Sequence, residues 1–272
     1  MLRQISSRDN QLIKYFRQLN KSSFSRKEGL ILIEGFRQVE EALLSDLTVR
    51  YFIFTAEARQ NDNWQRFGRW EDQLFQKSDC IELPRSIFTH ISGTENPQGV
   101  AIVCGAPAIS NPVEAADQNG LYLILEELQD PGNMGTIIRT ADAFACAGII
   151  MTSGCVWPYY DKVLRAAMGS IFHLPIYDFK RVDDAVAWLR KSGVRIIAAD
   201  PKGVPVSQMK MSEPTKLIRP LAIVIGNEGR GLSTSARDLA DDLVSIPMPG
   251  NAESLNAAVA ASILCYEAAK II

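Results

Sequence analysis

The sequence predicts an α/β protein built in two parts, and three observations carry the prediction. Stretches of strand character alternate with stretches of helical spacing along most of the chain. Several strand stretches, such as LAIVIG at 221–226, are apolar at every position, which suits a parallel sheet covered on both faces. The stretch APAISNPVEAADQNG at 106–120 is rich in Pro, Ala and polar residues and reads as a linker. We therefore place a small α/β domain at 1–105, a linker at 106–118 and a second α/β domain at 119–272. A chain of 272 residues can bury two cores of ordinary size.

Taken in order, NQLIKYFRQL sets Leu12, Ile13, Phe16 and Leu19 at helical spacing. LILIEG is a strand ending at Gly35, FRQVEEALLS an amphipathic helix, and VRYFIFT a second strand. In WQRFGRW, Trp64, Phe67 and Trp70 recur every third residue among Arg66 and Arg69. Such spacing marks the core face of a helix; the rival reading is a surface for stacking bases. A further short α/β stretch closes with the strand GVAIVCG. The second series has strands in LYLILEEL, GIIMTS, RIIAAD, LAIVIGN and LVSIPM. Its helices fall near 135–144, 161–170, 182–191, 233–239 and 254–270.

Composition narrows the function classes. Hydrophobic residues make up 47% and charged residues 22%, the balance of a soluble globular protein. No apolar run is long enough to span a membrane, and no apolar leader follows the start, so a cytoplasmic protein is expected. Five scattered cysteines and two histidines form no zinc-ligand pattern, so no metal is expected. The net charge of −2 argues against indiscriminate nucleic-acid binding by the whole surface. The charge is uneven, however. Residues 1–29 hold Arg3, Arg8, Lys14, Arg17, Lys21, Arg26 and Lys27 against Asp9 and Glu28 alone. That segment is either a solvated helix or an arm that contacts a polyanion.

Three constellations could carry chemistry. In LEELQDPGNMGTIIRTADAFACAGII, a strand runs through a Pro-Gly turn to Asn133, Gly135 and a helix holding Arg139. Exposed N–H groups at a helix start favour an anion, and an arginine can clamp phosphate. In AIVIGNEGRGLS, Gly226, Gly229 and Gly231 alternate with Asn227, Glu228 and Arg230 at the carboxyl end of a strand, where open α/β sheets bind ligands. In IPMPGNAESLN, Ser254 is a good N-cap for the apolar last helix. Met248 and Leu255 could pack on an adenine ring, and Asn256 could aim its amide into a cleft. Neither glycine pattern is a GxGxxG loop or a Walker A loop, which removes a dinucleotide-dependent oxidoreductase.

Together, DPGNMGTIIRTADAF, VIGNEGRGLS and IPMPGNAESLNAAVAASILCYEA resemble, in that order, the three motifs of the SpoU-type, or TrmH-like, RNA 2′-O-methyltransferases of the SPOUT class. The resemblance covers about 119–272. LILIEGFRQVEEAL and NPQGVAIV resemble, less specifically, the substrate-binding domain often attached to that family. The resemblance implies a SPOUT-type parallel sheet whose C-terminal segments, those holding the second and third motifs, form a trefoil knot. It implies S-adenosylmethionine as cofactor, bound in the knot loops, and a homodimer packed through that region, where Ala257, Ala258 and Ala261 either allow close approach or pack inside one subunit. By position it assigns catalysis to Asn133, Arg139, Glu228, Ser254 and Asn256. It assigns cofactor binding to Thr152, Gly226, Asn227, Gly229, Ile246, Met248 and Leu255. The implied reaction methylates a ribose 2′-hydroxyl of RNA, rRNA before tRNA. The resemblance implies that Arg139 activates the ribose 2′-hydroxyl; since an arginine is rarely neutral and makes a poor general base, the alternative is a charged Arg139 that binds the adjacent phosphate and stabilises the developing alkoxide. The competing reading is a non-catalytic RNA-binding or assembly factor that keeps the fold. FACAGI departs from the family in placing Ala145-Cys146 where glycine is common, which puts local packing in question.

Overall fold

A computed structural model of the chain describes residues 2–45, 47–109, 112, 115–212 and 219–270. Residues 110, 111, 113 and 114 of the expected linker lie outside the described residues. The chain forms two compact units, one of Met1–Ala108 with Trp157–Phe172, the other of Ile109–Val156 with His173–Ile272. The segment 157–172, expected within the second domain, thus packs with the first unit. Gly169 shows how closely: a side chain there would meet the Glu41 side chain at 2.5 Å.

The first unit holds strands β1 (Leu2–Gln4), β2 (Leu30–Glu34), β3 (Val49–Phe54), β4 (Asp79–Glu82) and β5 (Val100–Gly105). They form one mixed sheet of order β1-β4-β3-β5-β2, with β5 antiparallel to both β2 and β3. Helix α1 (Gln11–Leu19) is capped by Asn10, whose side chain accepts from the Leu12 amide, and buries Ile13, Phe16 and Leu19. Helices α2 (Ser22–Glu28), α3 (Phe36–Leu44), α4 (Ala56–Arg59), α5 (Glu71–Lys77) and α6 (Arg85–Ile91) follow, and α1 shares its core with Ile87, Phe88 and Ile91 of α6. Trp64 and Phe67 lie on a short 3-10 helix and are buried among Phe52 and Phe54, so their side chains serve packing rather than base stacking. Trp70 is covered by Arg69, 3.9 Å above its ring.

The chain continues through β6 (Leu121–Leu125), α7 (Pro131–Ala143), β7 (Gly148–Thr152), α8 (Asp161–Ala167), β8 (Ile176–Phe179), α9 (Val182–Arg190), β9 (Arg195–Pro205), α10 (Val206–Ser212), β10 (Leu221–Ile225), α11 (Thr234–Leu239), β11 (Asp242–Ser245) and α12 (Ala257–Ala269). In the second unit six strands form an all-parallel sheet of order β11-β9-β10-β6-β7-β8. β6 and β10 lie side by side, Leu121 opposite Leu221, and every residue of both is buried. That is why both read as unbroken apolar runs. Strand order reverses at β6, since the chain turns to β7 on one side while β10 lies on the other. An open parallel sheet leaves a crevice beyond its carboxyl ends at such a reversal. Among the described residues no helix is long and apolar enough to cross a membrane, and no cluster of His, Cys, Asp or Glu is placed to hold a metal.

Helix α7 starts earlier than expected. Asp130 is its N-cap, accepting from the Asn133 amide at 2.7 Å, and Pro131 takes the first helical position, where its missing N–H costs nothing. The Pro-Gly pair thus belongs to the helix rather than to a preceding turn. After it, Ala145 adopts a left-handed backbone, φ 49°, which glycine would enter without strain. At the other end of the unit, Asn256 rather than Ser254 caps α12, accepting from the amides of Ala258 and Val259. The helix begins at Ala257, three residues later than expected, so Ser254 stays in the loop.

Candidate active site

The loops after β6, β10 and β11 meet in one place. Asn227 opens the second loop and closes it on itself by two backbone bonds with Gly231, at 3.0 and 2.9 Å. Its side-chain oxygen accepts from the amides of Gly229 and Arg230, both at 3.0 Å, and its Nδ2 donates to the Glu127 carbonyl at 2.8 Å. Gly226 has no room for a side chain: a Cβ there would lie 2.4 Å from the Gly231 carbonyl carbon and 2.5 Å from the Leu232 nitrogen. The glycine is needed because two stretches of backbone touch.

Glu228 ties this loop to the first. Its carboxylate accepts from the Asp130 amide at 2.9 Å, the Gln129 amide at 3.2 Å and Asn133 Nδ2 at 3.2 Å. Partial burial raises the Glu228 carboxyl, but the amides of Asp130, Glu228 itself and Gln129, with Asn133, outweigh that and hold it below its ordinary value. Asn133 then reaches the third loop, its Oδ1 accepting from Asn256 Nδ2 at 2.8 Å. The direction of this relay is determined by chemistry. A carboxylate only accepts, so Asn133 turns its NH₂ to Glu228 and leaves its oxygen for Asn256. Asn256 in turn has its own oxygen held by the first amides of α12. Glu228, Asn133 and Asn256 therefore form one ordered chain of hydrogen bonds across three separate loops.

These residues border a cleft of about 860 Å³. Gly226, Asn227, Gly229, Ile246, Met248, Ser254 and Leu255 line it as well. Ile246, Met248 and Leu255 are apolar yet only half-buried, and they supply one wall. Met248 and Leu255 also make no backbone–backbone hydrogen bond among the described residues, which leaves their peptide groups open to a ligand. Ser254 is exposed, and its hydroxyl has no partner among the described residues.

Two expected site residues stand apart. Arg139 lies on α7, is exposed, and does not line the cleft of its own chain. Thr152 is buried below the cleft, where its Oγ1 accepts from the Glu127 amide at 3.1 Å. It thereby supports Glu127, itself in a left-handed conformation and paired with Arg230, and through Glu127 the Asn227 loop. Sequence reading missed Asp130 and Asp200. The Asp-Pro pair before a helical stretch is the N-cap signature that marks the first. Asp200 is buried at the cleft and paired with Arg237 of α11, a contact with no local signal in the sequence.

The SpoU rRNA Methylase family matches residues 120–266, and the MRM3-like substrate binding domain matches residues 10–101. The chain is 33% identical over 266 residues to the 23S rRNA (guanosine(2553)-2′-O)-methyltransferase RlmP of Bacillus subtilis, covering 97% of this chain and 98% of the relative. It is 29% identical over 277 residues to the 23S rRNA (uridine(2479)-2′-O)-methyltransferase of Streptomyces viridochromogenes, covering 98% and 92%. Its fold is similar to the AdoMet-bound rRNA methyltransferase of Sinorhizobium meliloti, with a TM-score of 0.83 and 27% identity over 99% of this chain and 98% of the other. It is also similar to the SpoU methyltransferase AviRb of Streptomyces viridochromogenes in complex with AdoMet, with a TM-score of 0.81 and 27% identity over 96% and 97%. A family match over more than half the chain, together with a full-length relative at one-third identity, places this chain in the SpoU rRNA methylase family.

Proposed function

We propose that this chain methylates a ribose 2′-hydroxyl of ribosomal RNA, using S-adenosylmethionine. The observation that carries the reading is the Glu228–Asn133–Asn256 relay, which joins the three motif loops at one cleft. Full-length similarity to enzymes named as 23S rRNA 2′-O-methyltransferases supports the substrate class.

The residues present fit the cofactor. The half-buried Ile246, Met248 and Leu255 match an adenine face, and the open peptide groups of Met248 and Leu255 suit its polar edge. Lys202 and Asp130 supply charges of both signs for an amino-acid moiety. When bound, S-adenosylmethionine supplies a methyl group already activated as a sulfonium.

The rest is the work of the chain's own groups. Glu228 keeps a negative charge beside the cleft, because donors hold its carboxyl ionised. Asn133 fixes the Asn256 amide through its oxygen. Ser254, with a free hydroxyl on the cleft, orients the ribose hydroxyl beside Asn256. Holding nucleophile and methyl carbon in line is worth up to ~7–11 kcal/mol in well-oriented systems. Arg139 binds the adjacent phosphate and stabilises the developing alkoxide, while the hydroxyl proton passes to solvent and the bond from methyl carbon to sulfur breaks to leave a neutral thioether.

The reading includes a C-terminal trefoil knot. The resemblance in the three motifs, together with folds similar to those of SpoU methyltransferases, supports that part of the reading. It also includes a homodimer. Val259 and Tyr266 expose apolar surface on α12, 46% and 51% accessible, which a second copy would cover. Arg139, outside its own cleft, would then serve the cleft of the other copy. The reading also takes the enzyme as cytoplasmic, which its similarity to bacterial 23S rRNA methyltransferases supports, and takes 1–105 as the part that selects the RNA.

The test is methyl transfer from labelled S-adenosylmethionine to total RNA from a strain lacking the gene, with alkaline-resistant dinucleotides locating ribose methyls. Label in rRNA, abolished by Arg139→Ala, is the expected result. Label confined to tRNA, or none despite cofactor binding, would overturn the assignment.

A further inference from the structure

The basic N-terminal segment is not a diffuse charge. Arg8, Lys14, Arg17, Lys21 and His90 line one groove of about 1070 Å³ on the first unit, between α1 and the end of α6. Its walls are set in advance: Asn20 Nδ2 donates to the Ile91 carbonyl at 2.7 Å, and Ile13 and Phe16 share a core with Ile87 and Phe88. Lys14 and Arg17 lie three residues apart on α1, so they face the same side, and Lys21, just past the end of that helix, lines the same groove. Asp9 is the acid on the groove, and it lies 3.5 Å from Lys14 with both side chains well exposed, a pairing worth little in water. Arg8 and Lys21 have no side-chain partner among the described residues. Arg17 lies 3.5 Å from His90 Nε2, which offers it no negative charge.

No Phe, Tyr or Trp lines this groove, and its one ring, His90, is held beside Arg17. A row of exposed cations that outnumbers its rings suits a chain of regularly spaced anions. We propose that this groove binds the phosphodiester backbone of the RNA substrate, independently of its sequence. The inference rests on the RNA reading above and adds a second, distinct contact surface to it. It makes the groove a contributor to substrate affinity and to its salt dependence, with no part in the methyl-transfer step.

The test compares the full-length protein with the triple variant Lys14→Gln, Arg17→Gln, Lys21→Gln. A control variant, Lys180→Gln with Lys191→Gln, removes exposed charge from the second unit. Binding to a uridine oligonucleotide is measured from low to moderate salt, alongside cofactor binding, melting temperature and methyl-transfer kinetics on rRNA. Each cation that neutralises a phosphate of a single strand contributes about 0.7 to the slope of log affinity against log salt. The expected result is a slope shallower by about 2 in the triple variant, together with a KM for RNA at least tenfold higher. The kcat, cofactor affinity and melting temperature should match wild type, and the control should bind RNA as wild type does. The salt slope needs no catalysis, so it decides the groove even where methyl transfer fails for other reasons. An unchanged slope and KM would overturn the proposal. So would a variant that keeps its RNA slope while losing affinity for poly-glutamate, which would assign the groove to an acidic protein.

Discussion

Asn133→Asp is the substitution that most directly examines the relay. Asn133 is 9% exposed, and its Nδ2 lies 3.2 Å from Glu228 Oε1. An aspartate of the same shape replaces that donor with a second carboxylate oxygen. At that separation two unit charges repel by roughly 1 kcal/mol at the dielectric of water and roughly 5 kcal/mol at an effective dielectric of 20. Glu228 is mostly solvated, so the lower end applies. With the lost hydrogen bond added, about 2 kcal/mol of destabilisation is expected, or a fall of roughly 4–8 °C in the melting temperature of the second unit. The pair should avoid double ionisation by holding one proton, which raises its apparent pKa. Native protein then binds more protons than unfolded chain as pH rises, so the deficit is full at pH 8 and shrinks toward pH 5. Asn133→Ala removes both hydrogen bonds without adding charge, and its deficit should not vary over that range. Melting curves of the three proteins at both pH values read the effect. Methyl transfer by Asn133→Asp should fall about a hundredfold, the usual cost of misplacing reacting groups by about 1 Å. If Asn133→Asp melted with wild type at pH 8, Asn133 would not bridge Glu228 and Asn256 as described.

Four further outcomes follow from the geometry. Asn256→Ala should cost about 1 kcal/mol through loss of the α12 cap, whereas Asn256→Ser should restore melting but not methyl transfer, because it lacks the amide that bonds Asn133. Arg139→Ala should melt within about 0.5 kcal/mol of wild type and bind cofactor normally while losing methyl transfer, since Arg139 is exposed and outside the cleft of its own chain. Ala145→Gly should raise stability by about 0.5–1 kcal/mol, visible in urea midpoints, because it relieves a left-handed alanine on the surface. Glu228 has a lowered pKa when folded, so its stabilisation is present above the unfolded carboxyl range and is lost as pH falls through the folded value; acid melting series should show a shallower decline in Glu228→Gln than in wild type.

Much of the architecture was legible along the chain because buried parallel strands are apolar at every position. β6 and β10 announced themselves that way along their whole length, β7 as far as Met151, and β9 only over 196–199. β8 did not, since IYDF at the sheet edge carries Asp178 and lies half in solvent. The start of α7 was misplaced because a Pro-Gly pair signals a turn until Asp130 is seen capping it. Local patterns also cannot report which residues face each other. Asn133 and Glu228 are 95 positions apart, and Asn133 and Asn256 are 123 apart, yet each pair shares a hydrogen bond. By itself the sequence determined the two α/β series, the buried strands and the three motifs, because each depends on spacing within a few residues. Only the tertiary structure decided that Asn256 caps α12, that Thr152 supports the loops from below and that Arg139 stands outside the cleft. Those placements depend on where the parallel sheet brings its loops together, and that is a property of the packed chain.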